Sequence, residues 1–393
     1  MDFAFSREAE EFRDEVRQFI EENPPEEFPV QLEDDMWGFG GWSYEFTRKL
    51  GEKGWLSLTW PKEWGGQGRT IMEQVVLVEE MAYHRAPCTA HLMSDGMAKE
   101  IIAHGSEEVK RTLLPKIAKG IVTFWLAFSE PEAGSDLLNV RTTADEKGDF
   151  FVVNGQKVWS SFAHLADYGF LLTRTDKAAP RHKGLSMFIV DKRLDGVSVV
   201  PIISLVGHHY HNEVFFDNVK IPKEFLLGEK NRGFYQMLKG LETDRFWGRL
   251  SKAAFCKRIL DDLIEYTKGN FRNGKPLCDD ASIRQKLAQI SIEIEACRLH
   301  FYRVAWMLDQ NIPVTYEAAM GKIFADELGQ RLVDVGMEVL GLNSQLEPDS
   351  KWAPFKGEIE RWYFTTRGHT LAGGSTEILK NTIATLGLGL PRR

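Results

Sequence analysis

The sequence predicts an α+β protein in three successive parts: an N-terminal α-helical domain, a middle β-barrel or β-sandwich domain, and a C-terminal four-helix bundle. Three observations carry this. Apolar residues recur at helical spacing up to about residue 120, short β-rich runs with turn residues between them take over from Ile121, and helical periodicity returns after Pro222. The boundaries drawn from these changes are 1–120, 121–228 and 229–393. At 393 residues and 43% hydrophobic, the chain has enough apolar material for such a division.

In the first part, Ser6 is placed to cap a helix with Glu8 and Glu10 in its first turn, and Phe12, Val16, Phe19 and Ile20 follow at helical spacing. Pro24-Pro25 ends that helix. Further helical runs are Tyr44 to Leu50, Ile71 to Tyr83, Met97 to His104 and Glu107 to Ile117, and Gly120 closes the set. In the middle part, Phe150 to Trp159 reads as two strand-like runs separated by an Asn154-Gly155 hairpin turn. Phe170–Arg174, Leu185–Val190, Val197–Val200 and Val214–Asp217 are the other strands. In the last part, Ile283, Leu287, Ile290, Ile294, Cys297, Phe301, Val304 and Leu308 form one apolar stripe, which is core or a subunit contact.

Charge and cysteine usage exclude several functions. Lys plus Arg number 49 against 57 Asp plus Glu, and no basic run is interleaved with aromatics, which argues against a nucleic-acid partner. Cys88, Cys256, Cys278 and Cys297 lack metal-ligand spacing, so no metal is expected and the thiols fit a reducing compartment. The N-terminus is acidic and amphipathic and no run is long enough to span a bilayer, which predicts a cytoplasmic protein with no membrane partner.

The stretch Thr123 to Asp136 joins an apolar strand to a turn of small and acidic residues; alone it reads equally as a surface turn or as part of a site. Its neighbours add meaning. Gly54-Trp55, Trp60-Pro61, Gly65-Gly66, Glu79-Glu80-Met81-Ala82 and His104-Gly-Ser-Glu-Glu precede Ser129-Glu-Pro-Glu-Ala-Gly-Ser-Asp136. After it come Asn154-Gly-Gln-Lys-Val-Trp-Ser-Ser161, His211-Asn-Glu-Val-Phe-Phe-Asp-Asn-Val-Lys-Ile-Pro222 and the tail Leu386 to Arg392. In these ordered motifs the chain resembles the acyl-CoA dehydrogenase flavoenzymes. The resemblance implies FAD bound between the β domain and the bundle, α,β-dehydrogenation of an acyl-CoA thioester, and electrons passed to an electron-transferring flavoprotein.

It also implies roles for residues. Leu126, Phe128 and Ser129 would meet the pyrimidine edge of the flavin, and Ser135 would lie near the phosphate and pantetheine region of cofactor and substrate. Trp159 and Ser161 match a Trp-x-Thr pair whose indole covers the flavin and whose hydroxyl meets N5; Trp159 also reads as an ordinary sheet aromatic. Ser375 and Glu377 fall where the family contacts the flavin. The usual base, a Glu in Tyr-Glu-Gly-Thr, is replaced by Gly373, whose N–H could still polarise the thioester carbonyl, with Gly374 beside the substrate. A second family solution places the base in Gly-Leu-x-x-Glu-Arg; the match Gly240-Leu-Glu-Thr-Asp-Arg245 puts Asp244 at the base position and Arg245 next to the substrate. Asp244 reads equally as an ion-pair partner of Arg245 or Lys239. Trp159, Phe162, His164 and Trp247 are candidates for the acyl pocket or for core.

The family's Arg-x-x-Phe-Gly and Gln-x-x-Gly-Gly-x-Gly motifs, through which a partner subunit holds the far end of FAD, are eroded here to Asn270–Pro276 and Glu338–Ser344. Arg272 and Gly341 are what remains for that role, while Glu338 repels phosphate and Leu342 blocks close approach. Bacterial members acting on bulky ring, steroid or dicarboxylic acyl-CoA esters share the Ala-Gly-Gly-Ser/Thr ending and pair unlike subunits. The expectation is a homotetramer, or a heterotetramer with a paralogous subunit. The alternatives are a non-catalytic subunit that completes a partner's site, and an oxidase that returns electrons to oxygen.

Overall fold

A computed structural model describes residues 4–28, 38 and 40–391, with the side chains of residues 239, 241–245 and 247 outside the description. The N-terminal part holds helices α1 (Arg7–Glu22), α2 (Tyr44–Glu52), α3 (Ile71–Tyr83), α4 (Thr89–His104) and α5 (Glu107–Ala118). Ser6 caps α1 by accepting from Ala9 N at 3.2 Å, and Thr70 and Glu73 form a reciprocal capping box on α3. Helix α4 begins eight residues before the Met97 expected from apolar spacing. His91, Ser94 and Asp95 in that first half are buried, and Asp95 is satisfied by Trp60 Nε1, Gln74 Nε2 and Lys99 Nζ, so a polar network hides the apolar stripe.

Eight strands follow: β1 (Phe124–Ala127), β2 (Thr143–Lys147), β3 (Phe150–Lys157), β4 (Tyr168–Arg174), β5 (Leu185–Asp191), β6 (Val197–Ile203), β7 (His209–Pro222) and β8 (Leu226–Leu227). They form one mixed sheet in the order β6-β7-β3-β2-β4-β5-β8, and β1 lies parallel to β4. Asn154-Gly155 is not the hairpin turn the sequence predicts. Strand β3 runs through it, and a register shift between Val153 and Gly155 makes it a bulge opposite β7, with Gly155 at φ +150°. The tight turn lies instead at Gly148-Asp149, between Lys147 and Phe150 of the paired β2 and β3.

The C-terminal part consists of α6 (Gly233–Gly269), the small β9 (Phe271–Arg272) and β10 (Lys275–Pro276) pair, α7 (Ala281–Asp309), α8 (Tyr316–Leu340), α9 (Glu358–His369) and α10 (Thr376–Thr382). The predicted stripe from Ile283 to Val304 is buried against α6 and α8, as a core stripe should be. Two side chains lock this bundle to the first helices. Asp309 accepts from Ile71 N and Met72 N at 2.7 and 3.2 Å, and Glu79 accepts from Tyr302 and Arg298. Helix α6 starts against the sheet, where a Cβ on Gly233 would fall 2.6 Å from Met187 N, and continues into the bundle. Among the described residues no helix is long and apolar enough to cross a membrane.

Candidate active site

The end of β1 is fastened from below by a buried lysine. Lys157 Nζ donates to the Phe128 carbonyl at 3.0 Å and to Glu130 Oε1 at 2.8 Å, and the Glu130 carboxylate also accepts from Arg141 N and Thr142 N. Burial pushes Lys157 down to about 8 against the pull of Glu130. Burial alone would raise Glu130, but the Lys157 charge and these donors hold it below the ordinary carboxylate range. Val158 N–H donates to the Ser129 carbonyl at 2.9 Å, so Phe128 and Ser129 have fixed backbones. Leu126 and Phe128 face a narrow apolar cleft with Met97, Phe170, Met187, Met237, Glu100 and Gly240, between β1, α4 and α6. Beyond it the turn through Gly134 and Ser135 is exposed, and a Cβ on Gly134 would meet nothing within 4 Å.

Trp159 stands where the chain leaves β3. Its backbone is left-handed, φ +59°, and its side chain is 58% exposed. Two residues on, Ser161 Oγ lies 3.2 Å from His211 Nδ1. Phe162, also left-handed at φ +60°, is wholly buried against Trp42. A bulky residue at positive φ costs on the order of 1–2 kcal/mol, and such strain gathers where a side chain must be aimed. Here the aimed side chain is the Trp159 indole. Phe162 is core, and His164, stacked on His209 at 3.8 Å and beside the Asn212 amide, packs on the start of β7.

The loop between α9 and α10 carries Gly373 at φ +69° and Gly374 at φ +98°. A Cβ on Gly373 would stand 3.3 Å from Arg249 Nη2, and Arg249 also donates to the Ala372 carbonyl at 3.4 Å. Beneath lies a buried ionic cluster. Asp326 meets Lys252 at 3.1 Å, Lys322 at 2.9 Å and Arg249 at 3.5 Å; Lys252 contacts His369 Nδ1, and Lys322 donates to the His369 carbonyl. Burial opposes ionisation of Asp326, yet these cations keep it well below the usual range, while burial pushes Lys322 down to about 8. Ser375 caps α10 by accepting from Ile378 N at 3.3 Å, and Glu377 in the first turn is lowered by the helix-terminal backbone N–H and by Ser375.

No motif in the sequence marks Arg249, Lys252, Lys322, Asp326, His369 or Lys157 as functional. Lys322 and Asp326, four residues apart inside an otherwise small and apolar stretch of α8, were the available signal. Asp244 and Arg245 lie on α6, and their side chains are outside the described residues, as is Trp247.

Models of the acyl-CoA dehydrogenase N-terminal, middle and C-terminal domains match residues 6–121, 126–219 and 231–387. Acyl-CoA dehydrogenase FadE26 of Mycobacterium tuberculosis is 32% identical, covering 100% of this chain and 99% of its own length. The chain belongs to the acyl-CoA dehydrogenase family. Among solved structures of this family, the Tcur3481-Tcur3483 steroid ACAD superimposes with a TM-score of 0.88 at 30% identity, covering 100% of both chains. The ChsE4-ChsE5 complex from Mycobacterium tuberculosis gives 0.84 at 31% identity, again over 100% of both. Acyl-CoA dehydrogenases are FAD-dependent oxidoreductases acting on acyl-CoA.

The residues present fit the flavin end of such a cofactor: an exposed indole on a rigid strained backbone, a hydroxyl beside it, and an open turn of small residues. They fit the adenosine and pyrophosphate end poorly. Arg272 Nη2 is taken by the Glu338 and Val339 carbonyls at 3.0 and 3.1 Å, Glu338 is paired with Lys286, and Leu342 is 84% exposed. Gly341, at φ +60°, leaves room, with Arg272 Nη2 3.7 Å from where its Cβ would be.

Proposed function

We propose that this acyl-CoA dehydrogenase is a catalytic subunit that uses Asp244 to remove the α-proton of a bulky acyl-CoA thioester. The observation that carries this reading is at Gly373. A side chain there would need an unfavourable left-handed backbone and would crowd Arg249 at 3.3 Å, so the loop is built for glycine and the base must come from another element. Asp244 lies on helix α6 four residues after Gly240, which borders the apolar cleft, and matches in sequence the family's alternative base position.

Bound FAD supplies the ring that accepts hydride from Cβ, and electron-transferring flavoprotein is the proposed acceptor beyond it. The protein's part is placement and charge. Trp159 would cover the ring and Ser161 would address N5, while Leu126, Phe128, Ser129 and Ser135 would line the approach, with Ser375 and Glu377 on the far loop. At the thioester, Gly373 and Gly374 carry no side chain to keep a carbonyl from the backbone, and Arg249, Lys252 and Lys322 would put positive charge on that side of the developing enolate. The preference for a bulky, steroid-like acyl group is supported by the similarity to the steroid ACAD.

Arg272, whose Nη2 is turned to the Glu338 and Val339 carbonyls, and the anionic Glu338 favour assembly with an unlike subunit, since this chain offers little to the far end of a neighbour's FAD. The proposed state is a heterotetramer with a paralogue. Expressing the chain alone and with a paralogous subunit separates the possibilities. Full FAD content and activity from the chain alone would reject the heteromer, and a flavin-loaded heteromer that no acyl-CoA ester bleaches would reject the catalytic reading.

A further inference from the structure

Ser161 and His211 are held as a pair by the backbone on either side of them. Ser160 N–H donates to the Asn212 carbonyl at 3.0 Å and Phe162 N–H to the Tyr210 carbonyl at 2.8 Å, so position 161 stands across from position 211. Alternation then decides the faces. Ser160, Phe162, Tyr210 and Asn212 are all buried, whereas Ser161 and His211 are half-buried and project together. The Asn212 amide reinforces the pairing by donating to the Ser160 carbonyl at 2.9 Å. The Trp159 indole borders the same face, 5.5 Å from the His211 ring and nearly perpendicular to it.

A serine hydroxyl by itself rotates to suit whatever faces it, as donor or acceptor. Beside a neutral imidazole whose Nδ1 carries no proton, that freedom is lost. Burial pushes the His211 ring down to about 4, so at neutral pH one ring nitrogen is an acceptor. With Nδ1 in that role at 3.2 Å, the hydroxyl proton is held toward His211, and Ser161 Oγ turns its lone pairs to the open side.

We propose that His211 is a positioning residue that fixes Ser161 as a hydrogen-bond acceptor toward flavin N5 and thereby favours the reduced ring, which carries a proton there, over the oxidised ring, which does not. This rests on the proposed placement of Ser161 at N5. His211 has no counterpart role in the implied Trp-x-Thr pair; it enters only through the cross-strand register.

The test is the reduction potential of the FAD-loaded protein, with its partner subunit where that is needed for loading, for wild type, Ser161→Ala, His211→Phe, the double variant and His211→Asn. Ser161→Ala and His211→Phe should each shift the two-electron equilibrium about threefold to tenfold toward the oxidised form, about 15 to 30 mV lower in potential. The double variant should shift no further than either single one, because both remove the same interaction. His211→Asn, whose amide oxygen can take the place of Nδ1, should return to the wild-type potential. Should His211→Phe fail to hold FAD, His211→Leu replaces it in the same comparison. A wild-type potential in His211→Phe, or additive shifts in the double variant, would overturn the role of His211 while leaving Ser161 at N5. A wild-type potential in Ser161→Ala with FAD bound would overturn the placement of Ser161 itself.

Discussion

Arg249 Nη2 lies 3.3 Å from where a Cβ on Gly373 would stand, and Gly373 holds φ at +69°. The position that carries a carboxylate in much of the family is therefore strained for any side chain here and backed by a buried cation. Gly373→Ala should lower unfolding stability by on the order of 1–2 kcal/mol from the backbone conformation alone, read as a shift in urea midpoint. Gly373→Glu in an Asp244→Asn background should not restore substrate bleaching of the flavin. Restoration would show that the loop can still hold a base.

Trp159 predicts a trade between stability and binding. Its left-handed backbone suits glycine, and its side chain buries little within the chain. Trp159→Gly should raise the stability of the FAD-free protein by roughly 0.5–1 kcal/mol and weaken FAD at least tenfold. Thermal denaturation without cofactor and fluorescence titration with FAD give the two readings. Unchanged FAD affinity would make the indole a surface aromatic only.

Acid sensitivity should begin above the carboxylate range. Burial pushes His91 and His211 each down to about 4 from an ordinary 6.5, and His91 Nε2 meets no hydrogen-bond partner among the described residues. Between those values the unfolded chain binds protons that the folded chain refuses, so stability falls as pH drops from about 6.5 toward 4. Each group contributes roughly 3 kcal/mol at most over the window. Carboxylates such as Glu80, held near 2 by His84, Arg17 and Arg13 despite its burial, lose their contribution only below about 4.5. The urea midpoint should therefore fall between about pH 6.5 and 5, and His91→Gln should reduce that slope, with His211 and His300, likewise depressed by burial, carrying the rest. An unchanged slope would mean that His91 is not buried neutral.

The three-part order is legible because the two outer parts keep a helical period, as the buried stripe from Ile283 to Val304 does, while the middle part breaks into short β-rich runs between turn residues. The Asn154-Gly155 bulge was misread because the same dipeptide serves a hairpin turn and a bulge, and only the partner strand β7 distinguishes them. The start of α4 was missed because Asp95 and His91 are buried polar groups, satisfied or neutralised by residues distant in sequence. At the site, Trp159 and Ser161 stand out as a local motif. His211 and Arg249 act across the sheet and across the bundle, and no spacing along the chain announces such contacts.

Proton abstraction is assigned here to Asp244 on α6. The most direct measurement is anaerobic titration of FAD-loaded Asp244→Asn protein with the acyl-CoA ester that best bleaches the wild type. Retained FAD, retained ester binding and loss of bleaching by at least about 1,000-fold in rate are expected for removal of a general base together with its charge. Bleaching at the wild-type rate would contradict it and return the search for the base to the rest of the cleft.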